Sequence, residues 1–201
     1  KANYVGGEYR ENKKIEQVNL ALGFEGESYH SPLYFAQTVL ATILGGGMSS
    51  RLFQEVREKR GLVYTISSFG SSYTDGGNFV IYAGTGEKQV TELLPVVCDE
   101  LLKFKTTLRV EEIERAKAQL RANILMRRES TSARAESNAR YLAVHGYVPT
   151  SQELIDRINA IDEAVLVKTA DKIFATRPTM SVLGPIDHVM SYAELQDRLK
   201  A

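Results

Sequence analysis

Three things are scarce in this sequence of 201 residues: cysteine, net charge and long apolar runs. The single cysteine, Cys98, cannot form an internal disulfide. Its aliphatic neighbours predict a buried small hydrophobic side chain in a reducing compartment. Because 25 basic residues balance 25 acidic residues, the composition gives no reason to expect a nucleic acid or an anionic membrane as a partner.

The missing apolar runs exclude two kinds of segment. No stretch approaches the roughly 18 consecutive apolar residues that suggest a membrane span, so we expect no membrane partner. Residues 1–10 contain no apolar run of the kind found in a secretory signal. Because the first residue is Lys1 rather than Met, we expect a processed product or a fragment of a longer protein.

The residue types that bind metals or act as nucleophiles are scattered along the chain. His30, His145 and His188 have no His or Cys partner nearby in sequence, and neither H-E-x-x-H nor H-x-x-E-H occurs. No serine lies in G-x-S-x-G, and Cys98 has no neighbouring histidine to favour a thiolate. We therefore predict no metal site made by this chain alone and no nucleophilic catalysis.

Hydrophobic periodicity indicates groups of strands that alternate with groups of helices. The period of two over residues 18–24 predicts a half-buried strand, and the Asp- and Gly-rich residues 73–77 predict a hairpin turn. We predict an α+β fold, an antiparallel β-sheet with helices on one face, as a single domain over residues 1–201. The predicted strands are 4–10, 18–24, 63–71, 78–84 and 180–183, and the predicted helical segments are 31–44, 50–60, several over 88–175, and 192–199.

Serine, proline and glycine mark the predicted ends of the first helix. Ser31 is expected to cap it with Pro32 at its first position, and the glycine run at 45–47 ends it. Ser49 or Ser50 then caps a second helix, which Gly61 ends. The glycine run lacks G-K-[ST] and follows a helix, so we interpret it as a tight turn that needs positive φ. The alternative is a mobile loop that borders a substrate-binding cleft, formed by Gly46, Gly47, Met48 and Ser49.

The densest motif covers residues 44–69 and reads LGGGMSSRLFQEVREKRGLVYTISSF. Its charges alone indicate the solvated face of a helix. The segment nevertheless resembles the C-terminal half of the pitrilysin-type zinc peptidases, the family of insulysin, mitochondrial processing peptidase and bacterial processing proteases. Residues 16–26 resemble the second strand of the family, residues 111–132 its long helix and residues 179–185 its closing strand, so the similarity covers nearly the whole chain.

The resemblance implies one half of a two-half metallopeptidase. In this family the N-terminal half carries H-x-x-E-H and the zinc, the C-terminal half lacks the motif, and together they enclose an extended peptide. The implied partners are therefore a zinc-binding N-terminal half and an extended or unfolded peptide, with no cofactor in this chain and no activity of the chain alone. Ala36, Val39 and Leu40 stand where zinc ligands and the base would be.

Two further expectations concern self-association and location. Such a half exposes apolar surface that it would bury against its partner, so self-association is expected. The bacterial branch of the family implies a cytoplasmic location, with the periplasm or the mitochondrial matrix as alternatives.

The C-terminal half of this family usually supplies an Arg and a Tyr seven positions apart, a spacing that Arg57 and Tyr64 meet. The resemblance implies that both are auxiliary catalytic residues that donate to the scissile carbonyl and its developing oxyanion. A helix, a turn at Gly61 and a strand can bring the two side chains to one edge of a sheet. The alternatives are a surface ion pair for Arg57 and a position at the rim of the core for Tyr64.

Two other functions remain open at this point. A protein of this family can keep the fold as a non-catalytic scaffold or partner subunit, although an intact Arg57 and Tyr64 pair favours the peptidase. The chain can also be an unrelated α+β binding domain.

Overall fold

A computed structural model describes residues 2–200, so Lys1, which suggested a processed chain, lies outside the described residues. Five strands form one sheet. Their bounds are β1 Gly7–Asn12, β2 Val18–Glu25, β3 Val63–Ser72, β4 Gly77–Thr85 and β5 Thr179–Gly184. Their order across the sheet is β1-β5-β2-β4-β3, which leaves β3 at one edge.

Helices occupy most of the remaining chain. They are α1 Tyr34–Gly45, a π-helix Phe53–Glu58, α2 Val90–Thr107, α3 Val110–Arg127, α4 Thr131–His145, α5 Ser151–Asn159, α6 Glu163–Phe174 and α7 Tyr192–Lys200. None of these helices is both long and apolar enough to cross a membrane.

The pairing confirms the α+β prediction with one change. β2 is antiparallel to both β4 and β5, and β3 is antiparallel to β4. β1, however, runs parallel to β5. Almost the whole chain separates these two strands, so a long crossover is available for the parallel pair. The hairpin signal in the sequence predicted an antiparallel sheet, but it carries no information about the direction of β1, which pairs with a strand far away in the chain.

One face of the sheet is covered by helices. On β2, Val18, Leu20, Leu22 and Phe24 are buried, whereas the residues between them are only half-buried. Helix α1 packs against β3 and β4, and α6 packs against β2. The predicted alternation over residues 18–24 therefore identified the buried face of β2 correctly.

Helix α1 begins two residues after Pro32, its predicted first position. Its first residue is Tyr34, and the residue before it makes no side-chain cap. The Ser31 hydroxyl accepts a hydrogen bond from the Leu33 N–H at 3.1 Å and donates to the Glu27 carboxylate. Ser31 thus stabilises a turn before the helix instead of capping the helix itself.

The end of α1 lies in close contact with the edge strand. The Ser68 hydroxyl donates to the Ala41 carbonyl at 2.8 Å, and a Cβ built at Gly45 would lie 2.3 Å from the Ser68 nitrogen. Neither Gly45 nor Gly46 has positive φ. Gly47 does have positive φ, at 158°, so the predicted reason holds at that position alone. Gly45 is instead required by close approach of the helix to the strand.

Gly45→Ala is expected to destabilise the chain by about 2 kcal/mol, because the added methyl meets backbone that cannot move aside. Gly76→Ala is the matched control, since the nearest atom to a Cβ there is 4.0 Å away, on Ala2. Urea unfolding of both variants measures the difference. Equal stability of the two variants would contradict the close contact between α1 and β3.

Candidate functional site

Arg57 lies on an unusual stretch of helix. The chain from Phe53 to Glu58 is π-helical, with the Lys59 N–H bonded to the Gln54 carbonyl at 3.0 Å. The Arg57 guanidinium carbon lies 4.7 Å from the centre of the Phe53 ring, on the exposed side of this helix. Single-turn π-helices occur frequently at functional sites because the wider turn re-aims side chains.

The boundaries of this helix match the sequence prediction at one end only. Gly61 has φ of 62° and ends the helix as predicted. At the start, the Ser50 hydroxyl donates to the Gly47 carbonyl at 2.6 Å. Ser50 therefore stabilises the preceding turn instead of capping the helix.

Tyr64 lies on a second backbone irregularity. Along the pair of β3 and β4, Val63 lies opposite Thr85 and Thr65 lies opposite Gly84. Two steps on β3 therefore match one step on β4, which makes Tyr64 the extra residue of a β-bulge. The bulge turns the Tyr64 side chain away from the core, and it is 61% exposed. This rules out the rim of the core as its position.

The π-helix and the bulge lie close together at one end of the edge strand. The π-helix packs against β3, and the Tyr64 hydroxyl lies near Gly86, 3.7 Å from where a Cβ would be. Within residues 2–200, neither the Arg57 guanidinium nor the Tyr64 hydroxyl forms a hydrogen bond, and Arg57 forms no ion pair. Both groups are therefore available as donors.

A buried ion pair fixes the start of the helix that carries Arg57. Arg51 donates from Nε to Glu112 Oε1 at 2.8 Å and from Nη2 to Oε2 at 2.7 Å. Its other hydrogen bonds go to the side chain and the carbonyl of Thr107. Its guanidinium also lies over the Phe104 ring at 5.1 Å. Arg51 is thus held against the turn between α2 and α3.

Electrostatics keep this pair charged. Burial alone would raise the pKa of the Glu112 carboxyl, but the hydrogen bonds and the charge of Arg51 outweigh burial and lower the pKa below its ordinary value. The sequence analysis missed both residues. They are 61 positions apart, so no local pattern links them, and Glu112 could be seen only as an acidic residue in a first helical turn.

The loop predicted to border a cleft is held by side chains. The Gly46 carbonyl accepts from Gln119 at 2.7 Å, the Ser49 carbonyl accepts from Arg115 at 3.1 Å, and the Met48 carbonyl accepts from Gln54 at 2.7 Å. The Met48 side chain is 74% exposed. Gly47, between them, is also exposed. Residues 46–49 thus form a tethered loop that presents one apolar side chain.

A groove runs beside the edge strand. Its volume is about 500 Å³, and it is bordered by α1 on one side and by residues 68–73 of β3 and its turn on the other. Gly46 of the predicted cleft loop lines it, whereas Gly47, Met48 and Ser49 do not. Among the described strands, β3 pairs only with β4, so its outer row of backbone groups is unpaired.

The residues of α1 do not fit a metal ion. Ala36, Val39 and Leu40 are completely buried in the core and carry no donor atom. Within the described part of the chain, no group of three or more His, Cys, Asp and Glu is placed to hold a metal. The structure does bring His30 and His145 together, with 5.4 Å between ring centres, although they are far apart in sequence.

Cys98 is buried, as predicted. Burial raises the pKa of its thiol to about 12. The thiol therefore stays protonated at neutral pH, the form that is a poor nucleophile.

Comparison with solved structures gives the fold, and comparison of the sequence with family models gives the family. The chain superimposes on a chain of the Candida albicans complex III2 structure with Inz-5 bound. The TM-score is 0.89 with 20% identity, over 97% of this chain and 49% of that one. Residues 2–120 match the family described as "Peptidase M16 inactive domain". The chain belongs to this family, which confirms the C-terminal, pitrilysin-type half that the motif predicted.

Two curated relatives support the assignment. The chain is 41% identical over 185 residues to an uncharacterized zinc protease of Rickettsia bellii, across 92% of this chain and 45% of that protein. It is 24% identical over 207 residues to subunit alpha of the mitochondrial-processing peptidase of Caenorhabditis elegans, across 92% of this chain and 40% of that protein. The chain thus spans less than half the length of either relative.

Glu112→Gln is expected to lower the free energy of unfolding by about 3 kcal/mol at pH 7, because it leaves the buried Arg51 charge without its counter-ion. The pKa of Glu112 is lower in the folded state than in the unfolded state. The ionised Glu112 therefore contributes its full share to the free energy of unfolding above the unfolded pKa of about 4.3, and this share is lost as pH falls through the folded pKa. The difference from wild type should therefore shrink in acid.

Glu111→Gln is the control for this experiment, because Glu111 is exposed in the same helical turn. Urea unfolding across the pH range measures both variants. A difference between wild type and Glu112→Gln that does not change with pH would contradict an ionised pair.

Proposed function

We propose that this chain is the C-terminal, substrate-clamping half of a zinc-dependent endopeptidase and that residues 1–201 form one domain of it. Arg57 and Tyr64 act as auxiliary donors to the carbonyl of the bond that is cleaved. The observation that carries the proposal is a pair of unpaired donors, each presented by its own backbone irregularity at one end of an open sheet edge. A surface or core role would require neither irregularity.

The open edge of β3 supports an extended peptide as the ligand. Its outer N–H and C=O groups can pair with an added strand, and the groove beside α1 can receive side chains. A peptide that pairs with β3 along residues 64–72 would span about nine residues of extended strand. Its end nearest Tyr64 would be the end that reacts.

The chemistry of the two donors fits a carbonyl that becomes negatively charged. The guanidinium of Arg57 offers several N–H donors, and the phenol of Tyr64 offers one O–H donor. Donors placed toward a developing oxyanion lower the barrier more than they strengthen substrate binding. Their loss should therefore appear mainly in kcat.

The zinc belongs to the partner half in this proposal, since α1 of this chain offers it no ligand. The chain alone is then inactive, and its partners are a zinc-binding N-terminal half and an extended or unfolded peptide. Its exposed apolar residues make self-association expected when the partner half is absent. We place the protein in the bacterial cytoplasm, with the periplasm or the mitochondrial matrix as alternatives.

Arg57→Ala and Tyr64→Phe are expected to lower kcat on an unfolded peptide by roughly 100-fold each, with KM nearly unchanged, because donors to the oxyanion act on the transition state. The assay mixes this chain with the zinc-binding half and zinc and follows cleavage. Neither half alone should cleave the peptide.

Arg60→Ala and Tyr9→Phe are matched controls. Arg60 is exposed in the turn directly after the π-helix, and Tyr9, at 60% exposure, lies on the opposite edge of the sheet. Full activity of both Arg57→Ala and Tyr64→Phe would reject the role of the donors. A mixture that folds and assembles but never cleaves any peptide would favour the alternative, a non-catalytic scaffold or partner subunit of the same fold.

A further inference from the structure

A basic cavity lies at the other end of the groove, away from Arg57 and Tyr64. It has a volume of about 190 Å³ and lies between the end of α3, the helix α4 and the segment that leads into α1. Four arginines line it, and no Asp or Glu is among its described lining residues. These arginines are Arg127, Arg128, Arg134 and Arg140.

Three of the four guanidiniums have no counter-ion. Arg140 pairs with Glu136 at 2.5 Å. Within residues 2–200, Arg127, Arg128 and Arg134 form no salt bridge and no side-chain hydrogen bond. All three are exposed, and they line a cavity that no described Asp or Glu lines. This arrangement favours binding of an anion.

The position of Arg134 strengthens this inference. Arg127 and Arg128 lie at the C-terminal end of α3, where a cation is favoured by the helix dipole. Arg134 instead lies in the first turn of α4, which contains no acidic residue. A cation there is disfavoured by the dipole, so helix stability does not explain it, whereas a bound anion would.

Tyrosines supply neutral donors at the same place. Tyr29, Tyr34 and Tyr141 line the cavity together with the arginines. Burial raises the pKa of Tyr34 to about 12, so its hydroxyl keeps its proton. A cavity with guanidiniums and phenols and no carboxylate is suited to accept a carboxylate, because a guanidinium binds both of its oxygens at once.

We propose that this cavity binds an acidic side chain or the C-terminal carboxylate of the peptide that lies along β3. The proposal rests on the peptide clamp described under "Proposed function". Tyr29, Tyr34 and Arg140 line both the cavity and the groove beside β3, so the two are continuous. The cavity is smaller than the roughly 300 Å³ at which pockets for whole small molecules begin, and it fits a single carboxylate.

The test measures binding to this chain without the zinc half, so catalysis plays no part. The probe is a fluorescent unstructured peptide with an Asp-Glu pair at its C-terminal end. Its reference is the same peptide with Asn-Gln and an amidated end. Two further peptides, Asp-Glu with an amidated end and Asn-Gln with a free end, show whether the side chains or the terminal carboxylate are bound. At about 0.1 M salt, to limit non-specific attraction, the acidic peptide should bind at least tenfold more tightly than the reference.

Arg134→Gln should remove about tenfold of this preference, since one charged hydrogen-bonding partner is lost. Arg134→Lys should restore only part of it, because an ammonium cannot pair with both oxygens. Arg121→Gln is the matched control. Arg121 belongs to α3, the helix that ends at Arg127. It donates to the Asn159 side chain at 2.8 Å and does not line the cavity. This variant should bind like wild type.

Three results would overturn the proposal. They are equal affinity for the acidic and the reference peptide, equal effects of Arg134→Gln and Arg121→Gln, and Arg134-dependent binding of inorganic triphosphate with no preference among peptides. The last result would assign the cavity to a free anion. Failure of the donors Arg57 and Tyr64 in the cleavage assay would leave this binding preference unchanged, so the two proposals fail separately.

Discussion

The buried ion pair between Arg51 and Glu112 is the constraint on which the candidate site depends. Apolar burial of Leu52 and Val56 holds the π-helix on the core, but apolar contacts are not directional and do not fix how the helix is rotated. The four hydrogen bonds of Arg51 do fix it, because they join the helix start to the turn before α3. A buried pair of this kind adds little stability over apolar residues of equal size, so its role here is to set position.

The features that could contact a ligand are arranged along the open edge of the sheet. The π-helix and the bulge place two donors at one end of β3, α1 and Gly46 form a wall beside it, and the basic cavity lies at its far end. In the proposed function, a single open strand thus connects the end that reacts with the end that anchors the peptide. An extended peptide can contact both ends at once, which a compact ligand cannot do.

The sequence predicted regular structure well and irregular structure poorly. The alternation on β2 and the end of the helix at Gly61 could be predicted from sequence, because both depend on residues that are neighbours in the chain. The late start of α1, the parallel position of β1 and the extra residue at Tyr64 could not, since each depends on contacts with distant parts of the chain. Arg57 and Tyr64 were identified as candidate site residues only through family resemblance. The ion pair between Arg51 and Glu112 joins residues too far apart in sequence to form a local pattern.

The central claim is that the ion pair holds the segment that presents the donors. Hydrogen exchange of the double variant Arg51→Met with Glu112→Leu tests it most directly, because two apolar replacements leave no buried charge unpaired. The claim predicts that backbone amides 54–62 exchange at least tenfold faster than in wild type, while those of β2 are unchanged. Wild-type protection of amides 54–62 in this variant would contradict it.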